Sequence, residues 1–253
     1  MPALDYDRIA ALYDTYCVFT GDLEYLSAAA RNAGGPVLEL MAGTGRVSLP
    51  LAATGARVVA VDASPAMLAQ LARKARSAHA RPRPVCADVR DLPFGPGFAL
   101  ALLPFQGFTE LLTAEDQRRL LAAVHGALRP GGRFICTSHN PSVRARAMDG
   151  TWREIGVFPA ASGGSLRLSL CVAPPAGGGA ARGQQQLELL DAAGARTAVI
   201  RLDLEFSLTS AGRMVELAAA AGFSCAGLLG DYEGAPFDEA TSPVIVATFV
   251  KPV

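Results

Sequence analysis

The chain has 253 residues, 51% of them hydrophobic, which is enough apolar material for one sizeable core and excludes a disordered polypeptide. Its 23 basic and 23 acidic residues cancel to a formal net charge of zero, so nucleic acid and anionic membrane are not the expected partners. Five cysteines (Cys17, Cys86, Cys136, Cys171 and Cys225) show no C-x-x-C and no short Cys/His spacing. They read as free thiols, and no metal is expected.

The opening residues carry Asp5 and Asp7 where a secretory signal needs basic residues followed by an apolar run, so a cytoplasmic protein is expected. Residues 5–33 read as helical. Tyr6, Ile9, Ala10 and Tyr13 recur at helical spacing, the pattern breaks near Thr20–Asp22, and it resumes from Leu23 to Ala33 before Gly34-Gly35-Pro36 stops it. Val37–Leu40 then reads as a strand leading into Gly43-Thr44-Gly45, a helix from about Val47 to Thr54, and a second strand at Arg57–Val61. That sequence of elements is a βαβ unit.

Ser64-Pro65 is a good start for a helix that runs to Ser77, and Pro84–Ala87 is a short third strand ending at Asp88. Phe98–Leu103 is the fourth strand. It belongs to the longest apolar stretch, which Pro104 interrupts far short of the ~20 residues that span a bilayer. Thr113 caps a helix reaching Leu128, with Asp116 at its third position; Pro130-Gly131-Gly132 turns the chain, and Arg133–Ser138 is the fifth strand. Aliphatic strands alternating with helices predict an α/β fold, a Rossmann-like, mostly parallel sheet covered on both faces.

Beyond residue 150 the period changes to two, at Leu166–Val172, Leu187–Leu189 and Ile200–Leu208, with Gly-rich connectors. This predicts a small antiparallel sheet, inserted over residues 150–209 and offering a surface for a homodimer. The connector from Ala173 to Gly183 reads as a mobile segment rather than an element. A helix at Ala211–Ala221, a strand at Phe223–Leu229 and an antiparallel last strand at Val244–Val250 complete a seven-stranded sheet. The expected organisation is a single domain: a helical lid (1–33), a cofactor-binding core (34–149), the inserted sheet (150–209), and a C-terminal helix with the last two strands (210–253).

Chemistry concentrates where strands end. Glu39 lies on the first strand, and Gly43 and Gly45 sit between it and a helix, where glycines let backbone approach a ligand. Asp62 ends the second strand, where a carboxylate can accept hydrogen bonds from two ribose hydroxyls, and Asp88 closes the third within reach of an exocyclic amine. Any one of these acids is also explained as a turn or cap. Together they line one crevice at the carboxyl edge of the sheet and point to an adenosine-containing ligand.

The segments Val37–Arg46, Val58–Leu68, Ala87–Pro93 and Leu128–Gly132 resemble the motifs of class I S-adenosylmethionine-dependent methyltransferases, over roughly residues 35–135. The resemblance implies S-adenosylmethionine as cofactor and S-adenosylhomocysteine as product. Gly43 and Gly45 would approach the methionine part and Glu39 its amino group. Asp62 would hold the ribose, Ala63 and Met67 would flank the adenine, and Asp88 with Val89 would meet its edge. Met41-Ala42 departs from the family, which more often has a glycine first in this loop. The segment Tyr6–Asp14 is similar to the helix that small-molecule members fold over the cofactor, which puts Tyr13 beside the cofactor and Tyr6 beside the acceptor.

Methyl transfer needs an acceptor held near-attack and dry, and a base only where the acceptor carries a proton to lose. Of the histidines, His79 and His125 read as structural or exposed, and His139, after the fifth strand, is the candidate acid/base. Phe105 is placed beside the cofactor. Gln106, Phe108, Asn140, Trp152 and Tyr232 are candidates for the acceptor wall. Leu103-Pro104-Phe105-Gln106 is unlike the Asn/Asp-Pro-Pro-aromatic tetrad of amino-methylating DNA enzymes, which favours a small-molecule acceptor at oxygen or nitrogen in bacterial secondary metabolism. The alternatives are a non-catalytic module that binds the cofactor or its product, and an NAD-dependent oxidoreductase.

Overall fold

The computed structural model describes residues 4–78, 80–161, 163–175 and 180–253. In chain order its helices are α1 (Tyr13–Tyr16), α2 (Leu23–Arg31), α3 (Ser48–Ala53), α4 (Pro65–Ser77), α5 (Ala114–Ala127), α6 (Pro141–Arg144) and α7 (Ala211–Ala220). Its strands are β1 (Val37–Leu40), β2 (Val58–Asp62), β3 (Arg83–Cys86), β4 (Phe98–Leu103), β5 (Leu128–His139), β6 (Trp152–Pro159), β7 (Ser165–Ala173), β8 (Ala181–Leu190), β9 (Arg196–Phe206), β10 (Ser224–Leu229) and β11 (Val244–Val250).

Seven strands form one sheet in the order β10-β11-β5-β4-β1-β2-β3, with β11 alone antiparallel to its neighbours. Every residue of β1 and β4 is buried, because helices cover both faces of the sheet and leave no solvent side for a polar alternation. One face packs Leu38, Ala101, Phe134 and Phe249 against α5 and α7, and the other packs Leu100, Leu102 and Ile135 against α2 and α3. The expected helix caps form: Ser64 Oγ accepts from Met67 N at 3.0 Å, and Thr113 Oγ1 from Asp116 N at 3.0 Å.

The second sheet is a meander, β6-β7-β8-β9. Its first strand is not evident from sequence alternation. A register irregularity between Glu154 and Gly156 breaks the period of two, and β6 is a half-exposed edge. The connector around 173–183 is shorter than expected, since Ala173 ends β7 and Ala181 begins β8; residues 176–179, on which the expectation of mobility falls, lie outside the described residues. So do Met1–Ala3 and His79. β5 starts at Leu128 rather than Arg133, taking the Pro130-Gly131-Gly132 turn into the strand, with Gly132 lying against the Phe98 and Arg129 carbonyls where a Cβ would collide.

The N-terminal segment departs most from its sequence reading. Residues 5–19 are not one helix; a 3-10 turn at Tyr6–Arg8 and the single turn α1 are joined by hydrogen-bonded turns over residues 9–12. Tertiary contacts override the helical period, because Leu4 and Ile9, with Tyr6, Tyr13 and Tyr16 beside them, pack on the apolar face of the inserted sheet formed by Leu166, Leu168, Leu187 and Leu202. The lid is therefore carried by the second sheet and lies over the carboxyl edge of the first. Among the described residues no helix is long and apolar enough to cross a membrane.

Candidate functional site

A cavity of about 620 Å³ opens at the carboxyl ends of β1, β2 and β4, under the N-terminal lid. Glu39, Gly43, Asp62, Ala63, Met67, Asp88, Val89, Phe105 and Tyr13 all contribute to its wall, as does Tyr6. Gly45 does not. Its φ is +88° and a Cβ there would lie 2.9 Å from Leu71 Cγ, so that glycine serves the close packing of the loop on α4. At Gly43, with φ +55°, a Cβ would meet nothing within 4 Å, because the position faces open cavity.

Two loops are joined across the cavity floor. Asp62 Oδ2 accepts from Gly43 N at 2.7 Å and Oδ1 from Ser64 N at 2.8 Å. Burial still holds the Asp62 carboxyl above its ordinary range, with those two amides opposing the rise. Glu39 is 1% exposed and accepts a short hydrogen bond from Ser48 Oγ; burial pushes its carboxyl up to about 8. In that state it is mostly a neutral acid at pH 7, and a cationic group brought beside it would favour the ionised form. Asp88 is bound by Arg90 through Nε and Nη2, the latter at 2.6 Å, and Arg90 also reaches Asp116 at 2.6 Å. The guanidinium holds both carboxyls below their usual range.

Three aspartates of the N-terminal segment fasten it to the cavity loops, a feature not recognised from the sequence although the acids recur there at seven- and eight-residue spacing. Asp7 accepts from Ser64 Oγ at 2.5 Å, and Asp14 from Thr44 Oγ1 at 2.5 Å and Lys74 Nζ at 2.7 Å. Asp22, fully buried, takes a bidentate pair from Arg46 at 2.5 and 2.7 Å. Arg46 in turn lies 4.8 Å from the Phe105 ring centroid. A second pairing crosses from lid to core at Tyr6, whose hydroxyl donates to Glu110 Oε1 at 2.6 Å. Burial and the Glu110 charge hold the Tyr6 phenol well above its ordinary range, so it stays a neutral donor.

Backbone strain gathers beside the cavity. Met41, Phe105 and Gln106 have φ of 52°, 51° and 65°, a left-handed conformation that non-glycine residues seldom adopt. Met41 stands where a glycine was missed in the sequence motif, and it adopts the glycine-like conformation all the same.

Several acceptor candidates are placed elsewhere. Phe108 is 1% exposed and belongs to the core between sheet and α5. Asn140 is fully buried; its amide donates to the Glu239 and Ser242 carbonyls at 2.8 Å and its oxygen caps α6. Trp152 is 47% exposed on the edge strand β6, paired with Cys171. Tyr232 packs on Phe19 and Tyr25 outside the cavity wall. Gln106 donates its backbone N–H to Thr137 Oγ1, and its side chain is off the wall. His139 is also off the wall, its ring 6.5 Å from Phe206, and burial together with Arg144 pushes it down to about 4. It is neutral at physiological pH and a weak base. Among the described residues no group of His, Cys, Asp and Glu is arranged to hold a metal ion.

The chain is similar to known proteins in sequence and fold. A family described as "Methyltransferase domain" matches residues 37–132. A demethylmenaquinone methyltransferase of Clavibacter sepedonicus is 38% identical over 117 residues, 46% of this chain and 46% of that protein. The match thus spans about half the length of that relative. Among solved structures, the CcbJ methyltransferase from Streptomyces caelestis superposes with a TM-score of 0.77 at 25% identity, covering 98% of this chain and 97% of that one. CalS10 of Micromonospora echinaspora, solved with S-adenosylmethionine and described as an amino pentose methyltransferase involved in calicheamicin biosynthesis, gives 0.70 at 20% identity over 95% of both chains. The motifs of β1, β2 and β3, which resemble those of class I S-adenosylmethionine-dependent methyltransferases, are gathered round one cavity, and the stretch that holds them, residues 37–132, is the one similar to the methyltransferase domain family.

Proposed function

We propose that the chain transfers a methyl group from S-adenosylmethionine to an oxygen or nitrogen of a small molecule, in the cytoplasm and within bacterial secondary metabolism. The observation that carries this reading is the cavity itself. Buried Glu39, the open side of Gly43 and the Asp62 carboxylate face one enclosed space, and together they suit the amino group, backbone and ribose of that cofactor. When bound, the cofactor supplies a methyl group made electrophilic by a sulfonium.

The protein's share is to orient and to exclude water. Asp62 positions the ribose while itself fixed by two amides, and Ala63, Met67 and Val89 supply apolar contact for a flat base. The lid fastened by Asp7 and Asp14 closes the cavity over the reacting atoms. A lid of this kind favours catalysis over a passive binding module, and Ser48 stands where the dinucleotide-binding fingerprint has its third glycine, which disfavours NAD. The relatives' printed names add support for a small acceptor.

The test is transfer of labelled methyl to a panel of small amines and phenols. Label should move with formation of S-adenosylhomocysteine, and Asp62→Ala should remove the signal. Tight binding of S-adenosylhomocysteine with no transfer to any acceptor would leave the binding module, and affinity for NAD instead would leave the oxidoreductase.

A further inference from the structure

A polar corner lies just beyond the cavity wall, at the far end of β5. Thr137 Oγ1 accepts from the Gln106 backbone N–H at 3.2 Å, which fixes to this strand the loop that follows the wall residue Phe105. His139 is two residues farther along β5, so it shares the Thr137 face, roughly 7 Å on at the rise of a strand. The chain then turns into α6, and Arg144 on that turn comes back to the same corner. Its Cζ lies 5.8 Å from the Phe206 ring centroid, and the His139 ring lies 6.5 Å from that centroid.

Arg144 differs from the arginines of the cavity wall. Arg46 is paired with Asp22, and Arg90 with Asp88 and Asp116, whereas among the described residues no carboxylate pairs with Arg144. Its Nε is buried and has no hydrogen-bond partner. Burial alone holds the guanidinium below its ordinary range, with no neighbouring acid to raise it, and neutral His139 adds no charge of its own. A partly buried cation left uncompensated costs the fold stability. The position is nonetheless firmly built. The Asn140 amide donates to the Glu239 and Ser242 carbonyls at 2.8 Å and pins the start of α6, and Arg146 donates to the Ala240 carbonyl at 2.9 Å just past its end. Gln106, whose backbone links Phe105 to Thr137, likewise has a buried Oε1 without a partner. Unsatisfied polar groups thus lead from the cavity edge to Arg144.

We infer that Arg144 binds an anionic group of the acceptor, a carboxylate or a phosphate, and so selects acidic small molecules; this rests on the methyl-transfer reading above. The guanidinium offers a planar fork of N–H donors that matches two oxygens of such a group. The anion compensates the charge that the fold leaves unpaired, at a corner where Phe206 of the inserted sheet meets the end of β5. The remainder of the acceptor extends past Phe105 into the cavity, where the methyl group is supplied. His139 serves there as a neutral neighbour of the anion and not as a base.

The test uses the full chain saturated with S-adenosylhomocysteine, in a buffer free of carboxylate and phosphate, titrated calorimetrically with benzoate, phenyl phosphate and the neutral benzamide. At least one of the two anions should bind roughly tenfold or more tightly than benzamide, the ratio expected of hydrogen bonds between charged groups, and the tighter of the two identifies the oxyanion. Arg144→Gln should abolish that preference while S-adenosylhomocysteine affinity stays within about twofold, since the two sites share no partner. Arg144→Lys, which keeps the charge and loses the fork, should retain part of the preference. Equal binding or no binding of the anions and benzamide overturns the inference, and so does a preference that survives in Arg144→Gln. Should S-adenosylhomocysteine itself fail to bind the wild-type chain, the methyl-donor reading falls and the acceptor assignment with it, an outcome distinct from loss of the anion preference alone.

Discussion

The Gly43 amide donates a 2.7 Å hydrogen bond to the Asp62 carboxylate, so the loop after β1 and the end of β2 are locked together as one floor. Asp62 therefore shapes the loop and, under the proposed function, meets the ligand as well. Asp62→Ala should weaken S-adenosylhomocysteine binding by roughly 10- to 100-fold, the loss of one or two hydrogen bonds to a charged group. Asp62→Asn should lose less, because its remaining oxygen still accepts one amide. Calorimetric titration of both variants checks the order.

Glu39 makes both stability and binding pH-dependent. Its carboxyl is raised from 4.5 to about 8 by burial, so between those values the native chain keeps a proton that the unfolded chain has lost. This contribution lowers stability as pH rises through that window, and Glu39→Gln should flatten the slope seen in chemical unfolding. An ammonium brought beside Glu39 draws the proton off, so affinity for S-adenosylhomocysteine should rise over the same window with release of a proton. Glu39→Gln should bind more weakly and without that release, as read by calorimetry in buffers of different ionisation enthalpy.

The Asp22–Arg46 pair is the strongest fastening of the N-terminal segment, with side-chain exposures of 0% and 14%. Asp22→Ala leaves a largely buried guanidinium without its partner and should cost about 3–5 kcal/mol. At this chain length the unfolding midpoint should fall by roughly 6–20 °C. Asp14→Ala, at a half-exposed pair with Lys74, should change the midpoint little and instead speed release of S-adenosylhomocysteine, by on the order of fivefold in a stopped-flow chase.

His139 gives a sharper contrast. Off the cavity wall and neutral above about pH 4, it should contribute no titration to the transfer rate across physiological pH. His139→Gln should slow transfer by less than about threefold, against the 100-fold or more that removal of a general base costs. A pH–rate profile of both proteins decides the point.

The gathering of the candidate cofactor residues round one cavity was legible because they lie next to strand ends, and strand ends can be placed from hydrophobic periodicity alone. Asp62, Asp88 and Glu39 reach the cavity for that reason. The acceptor side was not. Phe108 lies beyond left-handed backbone at Phe105 and Gln106, which no local pattern announces, and it turns into the core; Asn140, directly after β5, caps α6 instead. The three lid aspartates and Tyr6 make their contacts 24 to 104 residues away in sequence, such as Asp22 with Arg46 and Tyr6 with Glu110. The lid's helical period was real as a pattern of burial, but its partner is the inserted sheet, and that contact bends the segment out of a helix.

The most direct measurement is thermal unfolding with S-adenosylhomocysteine and NAD in parallel, on the wild-type chain and on Asp62→Ala. At about 100 times its dissociation constant, S-adenosylhomocysteine should stabilise the wild type by roughly 2.7 kcal/mol, a midpoint shift on the order of 5–10 °C, with no shift from NAD and a much smaller one in Asp62→Ala. A shift with NAD, or no shift with S-adenosylhomocysteine at any concentration, would contradict a cavity built for the methyl donor.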